Sequence, residues 1–139
     1  MRTVYVNGDY LPENEAKISI FDRSFLFADG VYEVTSVLDG KLIDVNGHMT
    51  RLARSLSELG FTYKADIDEL LEIHRELVKR NDITEGLVYL QISRGSAGDR
   101  DFAIKDDTPA TAVLFTQSKS LIKSPLAERG QKILTCPDV

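Results

Sequence analysis

The sequence predicts an α+β fold, a largely antiparallel sheet with two helices packed on one face. Three observations predict it. Apolar side chains recur at alternate positions in segments before residue 45 and after residue 85; the period lengthens to three or four residues between them; and Asn-Gly and Asp-Gly pairs punctuate the early strand-like segments.

Residues Thr3 to Tyr10 read as two short strands about Asn7-Gly8, a pair suited to the positive φ angles of a tight hairpin. Val31 to Leu38 is β-branched and aromatic with apolar alternation, and Asp39-Gly40 turns it into Lys41 to Asp44 as a second hairpin. From Asn46, the expected N-cap, Met49, Leu52, Leu56 and Leu59 mark a first amphipathic helix that ends before Gly60. A second helix starts at Asp66, with Glu69 completing a capping-box-like pair, and stops near Asn81; Ile67, Leu70, Leu71, Leu77 and Val78 face inward. Gly86 to Ser93, Ala110 to Thr116 and Lys132 to Thr135 return to the strand period. The polar stretches 94–109 and 117–130 are candidate functional loops.

Composition narrows the function classes. Across 139 residues, 42% are hydrophobic and 28% charged, ordinary for a folded domain, and acids outnumber bases 22 to 17 for a net charge of −5. That balance argues against a nucleic-acid partner. The lone cysteine, Cys136, excludes an intrachain disulfide and a cysteine-based zinc cluster, and His48 and His74 lack metal-ligand spacing, so no metal site is expected. His48 reads as a surface residue at a helix N-terminus and His74 as a partly covered one. No apolar stretch is long enough for a signal peptide or membrane span, which points to no membrane and a cytoplasmic location.

Three places can carry chemistry. In Phe27 to Val34 an Asp-Gly turn delivers Tyr32 and Glu33 at the start of a strand; alternation puts Tyr32 and Val34 on one face and Val31 and Glu33 on the other. On the residues alone Tyr32 is first a half-buried strand aromatic and second a hydroxyl aimed into a cleft. Arg51 and Arg54 share a helix face off the apolar stripe, either a solvated face or an anion site. The loop Arg94-Gly95-Ser96-Ala97-Gly98-Asp99-Arg100-Asp101 is either a surface connector or a carboxylate grip.

Read in order, Phe21-Asp22-Arg23, then Phe27 to Val34, then His48-Met49-Thr50-Arg51-Leu52, then Tyr89 to Gly95, resemble successive motifs of the class IV pyridoxal-phosphate-dependent aminotransferases. Asp29-Gly30-Val31-Tyr32-Glu33-Val34 is more similar to the D-amino-acid aminotransferase type than to branched-chain aminotransferases or aminodeoxychorismate lyases. The resemblance implies a small domain over residues 1–116, an interdomain linker over 117–129, and the first strand of a truncated large domain over 130–139. It implies that Arg51 holds the 5′-phosphate of pyridoxal 5′-phosphate, that Tyr32 lines the substrate pocket, and that Arg100 grips the substrate α-carboxylate, reaching across a homodimer. The family places a histidine two positions after that arginine; this chain has Phe102 there. Arg94 fits a structural anchor, with the choice between Arg94 and Arg100 open.

Transamination also needs a Schiff-base lysine, which the family carries in its large domain. Lys119, Lys123 and Lys132 do not match that motif, so no catalytic residue is assigned and the chain is expected to be an inactive N-terminal fragment. Its parent would exchange an amino group between an amino acid and a 2-oxo acid. The alternatives are a branched-chain aminotransferase, an aminodeoxychorismate lyase, or a non-catalytic dimerisation module.

Overall fold

The computed structural model describes residues 1–105, 107–123 and 125–137. Six strands form one antiparallel sheet: β1 (Thr3–Val6), β2 (Asp9–Pro12), β3 (Gly30–Leu38), β4 (Lys41–Leu42), β5 (Glu85–Ser93) and β6 (Thr111–Ser118), in the spatial order β2-β1-β6-β5-β3-β4. The helices are α1 (Arg23–Phe27), α2 (Val45–Glu58), α3 (Ile67–Arg80) and α4 (Pro125–Arg129). The α+β architecture is the one expected, and α2 and α3 are the two predicted helices.

Both hairpins turn where the sequence requires it. Asn7 and Gly8 lie at φ 50° and 108°, and Asp39 and Gly40 at φ 49° and 70°, so each pair meets the positive-φ demand of a two-residue turn whose twist matches its strands. Alternation then sorts the sheet into two faces. Val31, Thr35 and Val37 of β3, Val88, Leu90 and Ile92 of β5, and Ala112 and Leu114 of β6 point to the helices and are buried. They meet Met49, Leu52 and Leu56 of α2 and Leu70, Ile73 and Leu77 of α3 in a single core.

Helix ends show why the boundaries fall as they do. Asp66 caps α3 by accepting from the Glu69 amide at 3.1 Å. At its other end, the Asn81 side chain bonds the Thr3 amide and carbonyl and the Thr116 hydroxyl, tying the helix stop to two strands. The first helix corrects one expectation: its N-cap is Asp44, at φ 49°, two residues before Asn46. Gly47 lacks the Cβ that would collide with the Asp44 carboxylate, so the acid sits over the first turn, where the helix dipole favours negative charge.

Four further differences concern extent. Helix α1 was not foreseen; β6 runs two residues past Thr116; and α4 falls inside the expected linker, whose Ser124 lies outside the described residues. The strand expected at Lys132–Thr135 does not form: residues 131–137 carry no regular structure, and Ile133 and Leu134 are exposed. Asp106, in the loop 94–109, and Asp138 and Val139, at the end of the expected large-domain strand, also lie outside the described residues.

Candidate functional site

The start of β3 is pinned from three sides. Asp22, fully buried, caps α1 by accepting from the Ser24 amide at 2.9 Å and the Ser24 hydroxyl at 2.7 Å, and receives the Ser93 hydroxyl at 3.0 Å. Burial opposes its ionisation, but these hydrogen bonds outweigh that and hold its carboxyl below the usual range. Asp29 then divides its carboxylate between two guanidiniums, Arg23 at 2.7 Å and Arg94 at 3.0 Å. Next to it, Gly30 brings β3 so close to β5 that a Cβ would sit 3.0 Å from the Ile92 carbonyl oxygen.

Beyond this anchor the strand splits its side chains. Tyr32 emerges on the face opposite the helices, 63% exposed, its ring stacked on Tyr89 at 5.7 Å, while Tyr89 stacks on Phe115 at 4.8 Å and donates its hydroxyl to Gln91 at 2.7 Å. It is thus more exposed than the half-buried aromatic the sequence suggested. Glu33 turns the other way and is 2% exposed.

A buried carboxylate must find partners, and Glu33 finds them on α2. Arg51 donates from Nε at 2.8 Å and from Nη2 at 2.6 Å in a parallel fork, and His48 contributes Nδ1 at 2.8 Å. Residues 48 and 51 are one helical turn apart, which puts both on the side of α2 that meets β3. Because an ionised carboxylate only accepts, His48 carries its proton on Nδ1 there. Burial disfavours the charged form of Glu33, yet the hydrogen bonds from Arg51 and then His48 prevail and hold its carboxyl below the ordinary glutamate range. The same bonds push the Arg51 guanidinium further up. His48 is therefore a partner of a buried acid rather than a bare surface residue.

Arg51 and Tyr32 line one cleft of about 490 Å³ with Gly30, Glu33 and Ser55, and a neighbouring cleft of about 280 Å³ continues past Tyr32 to Gln91 and Ser24. Among the described residues no lysine lines either. A larger cavity of about 590 Å³ lies at the opposite end of β3, around Lys41, Leu42, Lys79 and Ile83, and contains none of the candidate residues. The buried acid, its two hydrogen-bond partners and the pinned strand converge at the Tyr32–Arg51 cleft, which is the candidate site.

The remaining candidates fall outside that cleft. Arg94 bonds Asp29, the Leu59 carbonyl and, at 3.0 Å, the Gly60 carbonyl, and stacks over Phe61 at 4.1 Å. Those contacts tie the end of β5 to Asp29 and to the connection between α2 and α3. Arg100 is exposed and lies 4.8 Å from the ring centroids of both Phe27 and Phe102. Arg54 reaches Glu58 at 3.5 Å on the solvent side. His74 is fully buried, not partly covered. Among the described residues no cluster of His, Cys, Asp and Glu could hold a metal ion, and no helix is long and apolar enough to cross a membrane.

Sequence reading passed over Glu33, Asp29 and Arg23 as functional supports. A signal existed for Glu33: the alternation that turns Tyr32 outward sends a carboxylate into the core, where it needs donors from the facing helix.

Known proteins resemble the chain in sequence and fold. The sequence model of the family described as amino-transferase class IV matches residues 30–137. A D-alanine aminotransferase of Staphylococcus epidermidis is 34% identical over 139 residues, covering all of this chain and 49% of that protein. Another, from Staphylococcus haemolyticus, is 42% identical over 97 residues, 70% of this chain and 34% of that protein. The chain thus spans about half the length of such relatives or less. Among solved structures, the branched-chain amino acid aminotransferase of Escherichia coli superposes with a TM-score of 0.81 at 19% identity, over 91% of this chain and 42% of that one. The 4-amino-4-deoxychorismate lyase of Pseudomonas aeruginosa gives 0.66 at 24%, over 84% and 40%. Strand order, helix placement and family match converge, and the chain belongs to the class IV aminotransferases.

Proposed function

We infer that the full-length protein transfers an amino group between an amino acid, a D-amino acid such as D-alanine, and a 2-oxo acid, using pyridoxal 5′-phosphate. The observation that carries this is the Arg51 guanidinium, 59% exposed at the cleft mouth and held by its Nε and Nη2 edge. Its Nη1 makes no hydrogen bond to a described residue, which leaves donors suited to a phosphate, since a guanidinium fork matches phosphate oxygens. When bound, the cofactor supplies the electron sink for amino-group exchange.

The chain's own residues divide the remaining work. Arg51 takes the phosphate, and Tyr32 walls the substrate pocket between the two clefts. Arg100, outside both clefts in its own subunit, takes the substrate carboxylate across a homodimer. The Schiff-base lysine comes from the part of the full-length protein that these 139 residues do not span, a reading supported by clefts that no described lysine lines, and the 139 residues alone are inactive. Sequence favours the D-amino-acid reading, because relatives at 34–42% identity are D-alanine aminotransferases, whereas the branched-chain and lyase likenesses are structural and below 25% identity.

Assaying the full-length product with 2-oxoglutarate and either D-alanine or L-leucine tests this. Pyruvate formation from D-alanine is expected, with no turnover by residues 1–139 alone. Turnover confined to L-leucine, or 4-aminobenzoate release from aminodeoxychorismate, would replace the reading with one of its relatives.

A further inference from the structure

We propose that Glu33 is a positioning residue for phosphate binding: it never touches the ligand, and it sets the plane and direction in which Arg51 presents its free donors. This rests on the reading of Arg51 as the phosphate residue.

The geometry carries the proposal. An exposed arginine on a helix samples many rotamers, and ordering it on ligand arrival costs entropy. Glu33 is the opposite kind of group, 2% exposed and rooted in a strand whose start is clamped by Asp29 and the close approach at Gly30. Two parallel hydrogen bonds, 2.8 Å from Nε and 2.6 Å from Nη2, fix the guanidinium plane to the carboxylate plane. Nη1 and the second Nη2 proton then point away from the acid. His48, on the same carboxylate at 2.8 Å, holds that carboxylate from a second direction.

A carboxylate behind an anion site also repels the anion. Here that repulsion acts from beyond the guanidinium and is screened by water at the exposed mouth, while the ordering of Arg51 acts at full strength. Ordering therefore dominates, and removing the acid should weaken phosphate binding rather than tighten it.

The test compares pyridoxal 5′-phosphate with pyridoxal, which lacks the phosphate, by equilibrium dialysis against the full-length protein and its Glu33→Gln, Arg51→Leu and double variants. Arg51→Leu should weaken the phosphorylated ligand and leave pyridoxal unmoved. Glu33→Gln should do the same by about tenfold, the scale of one charge-assisted hydrogen bond. The double variant should be no weaker than Arg51→Leu alone, because Glu33 acts only through Arg51. If Arg51→Leu fails to separate the two ligands, the functional reading falls and this proposal with it. If Arg51→Leu separates them while Glu33→Gln leaves the phosphorylated ligand unchanged or tighter, or the double variant adds a further loss, the proposal alone is overturned. Should Glu33→Gln not fold, Glu33→Asp keeps the charge but cannot reach both donors from the same backbone. It should weaken only the phosphorylated ligand, and an unchanged affinity would count equally against the proposal.

Discussion

Within α3, His74 is fully enclosed, its Nδ1 donating to the Leu70 carbonyl oxygen at 2.7 Å while Nε2 has no partner among the described residues. A second proton would create both a buried charge and an unsatisfied donor, and burial accordingly pushes the imidazole below its ordinary value. The unfolded chain binds that proton more readily than the folded one. Stability contributed by neutral His74 is therefore complete above the unfolded value of about 6.5 and is lost as pH falls from there toward the lower folded value. Urea midpoints measured between pH 7.5 and 5.5 should decline for the native protein, and a His74→Leu variant should show a shallower decline. Equal slopes in the two proteins would mean that another group controls this window.

At the scale of elements, α3 depends on its ends as much as its face. Asp66 satisfies one amide of the first turn, Asp68 and Glu69 complement the dipole there, and Lys79 and Arg80 do so in the last turn. Asp66→Ala should cost about 1 kcal/mol of unfolding free energy, read by chemical denaturation. Leu114→Ala, inside the sheet's buried row, should cost roughly 2–5 kcal/mol because its cavity cannot close. The contrast explains what was legible in the sequence. Asp66 and Glu69 announce a helix start because capping is local, and Asn7-Gly8 announces a hairpin for the same reason. The start of α2 lies two residues before Asn46 because Asp44, left-handed at φ 49°, caps the helix without a side-chain hydrogen bond, which spacing does not show. Helix α1 is held by Asp22 contacts to Ser93, 71 residues away, and such a long-range bond leaves no periodic trace. The site divides likewise: Tyr32 and Arg51 stand out by type and position, whereas the part Glu33 plays depends on β3 facing α2.

For the molecule as a whole, the two faces of the sheet are unlike. One is filled by α2 and α3. The other carries the Tyr32, Tyr89 and Phe115 stack, with Arg2 over Phe115 at 5.6 Å and Val34 half-buried beside it. Contiguous aromatic surface of this kind favours association. Residues 1–139 prepared alone should self-associate in light scattering, and Phe115→Lys should shift the population toward monomer. A native chain that stays monomeric at high concentration would show that this face is satisfied as it stands.

Strand β4 is only two residues long, pairing Lys41 and Leu42 with Leu38 and Val37, and the Ile43 amide adds one bond to the Ser36 carbonyl. From Gly30 to Thr35, then, β3 is a rim, and a ligand can reach around it to meet Tyr32 from above and Arg51 from below. Access to the cleft is thus metered by the reach of a hairpin anchored at the far end of the same strand. Each residue added to β4 would carry the covered edge roughly 3.3 Å closer to Tyr32, so the size of molecule admitted could change without altering any residue that touches it.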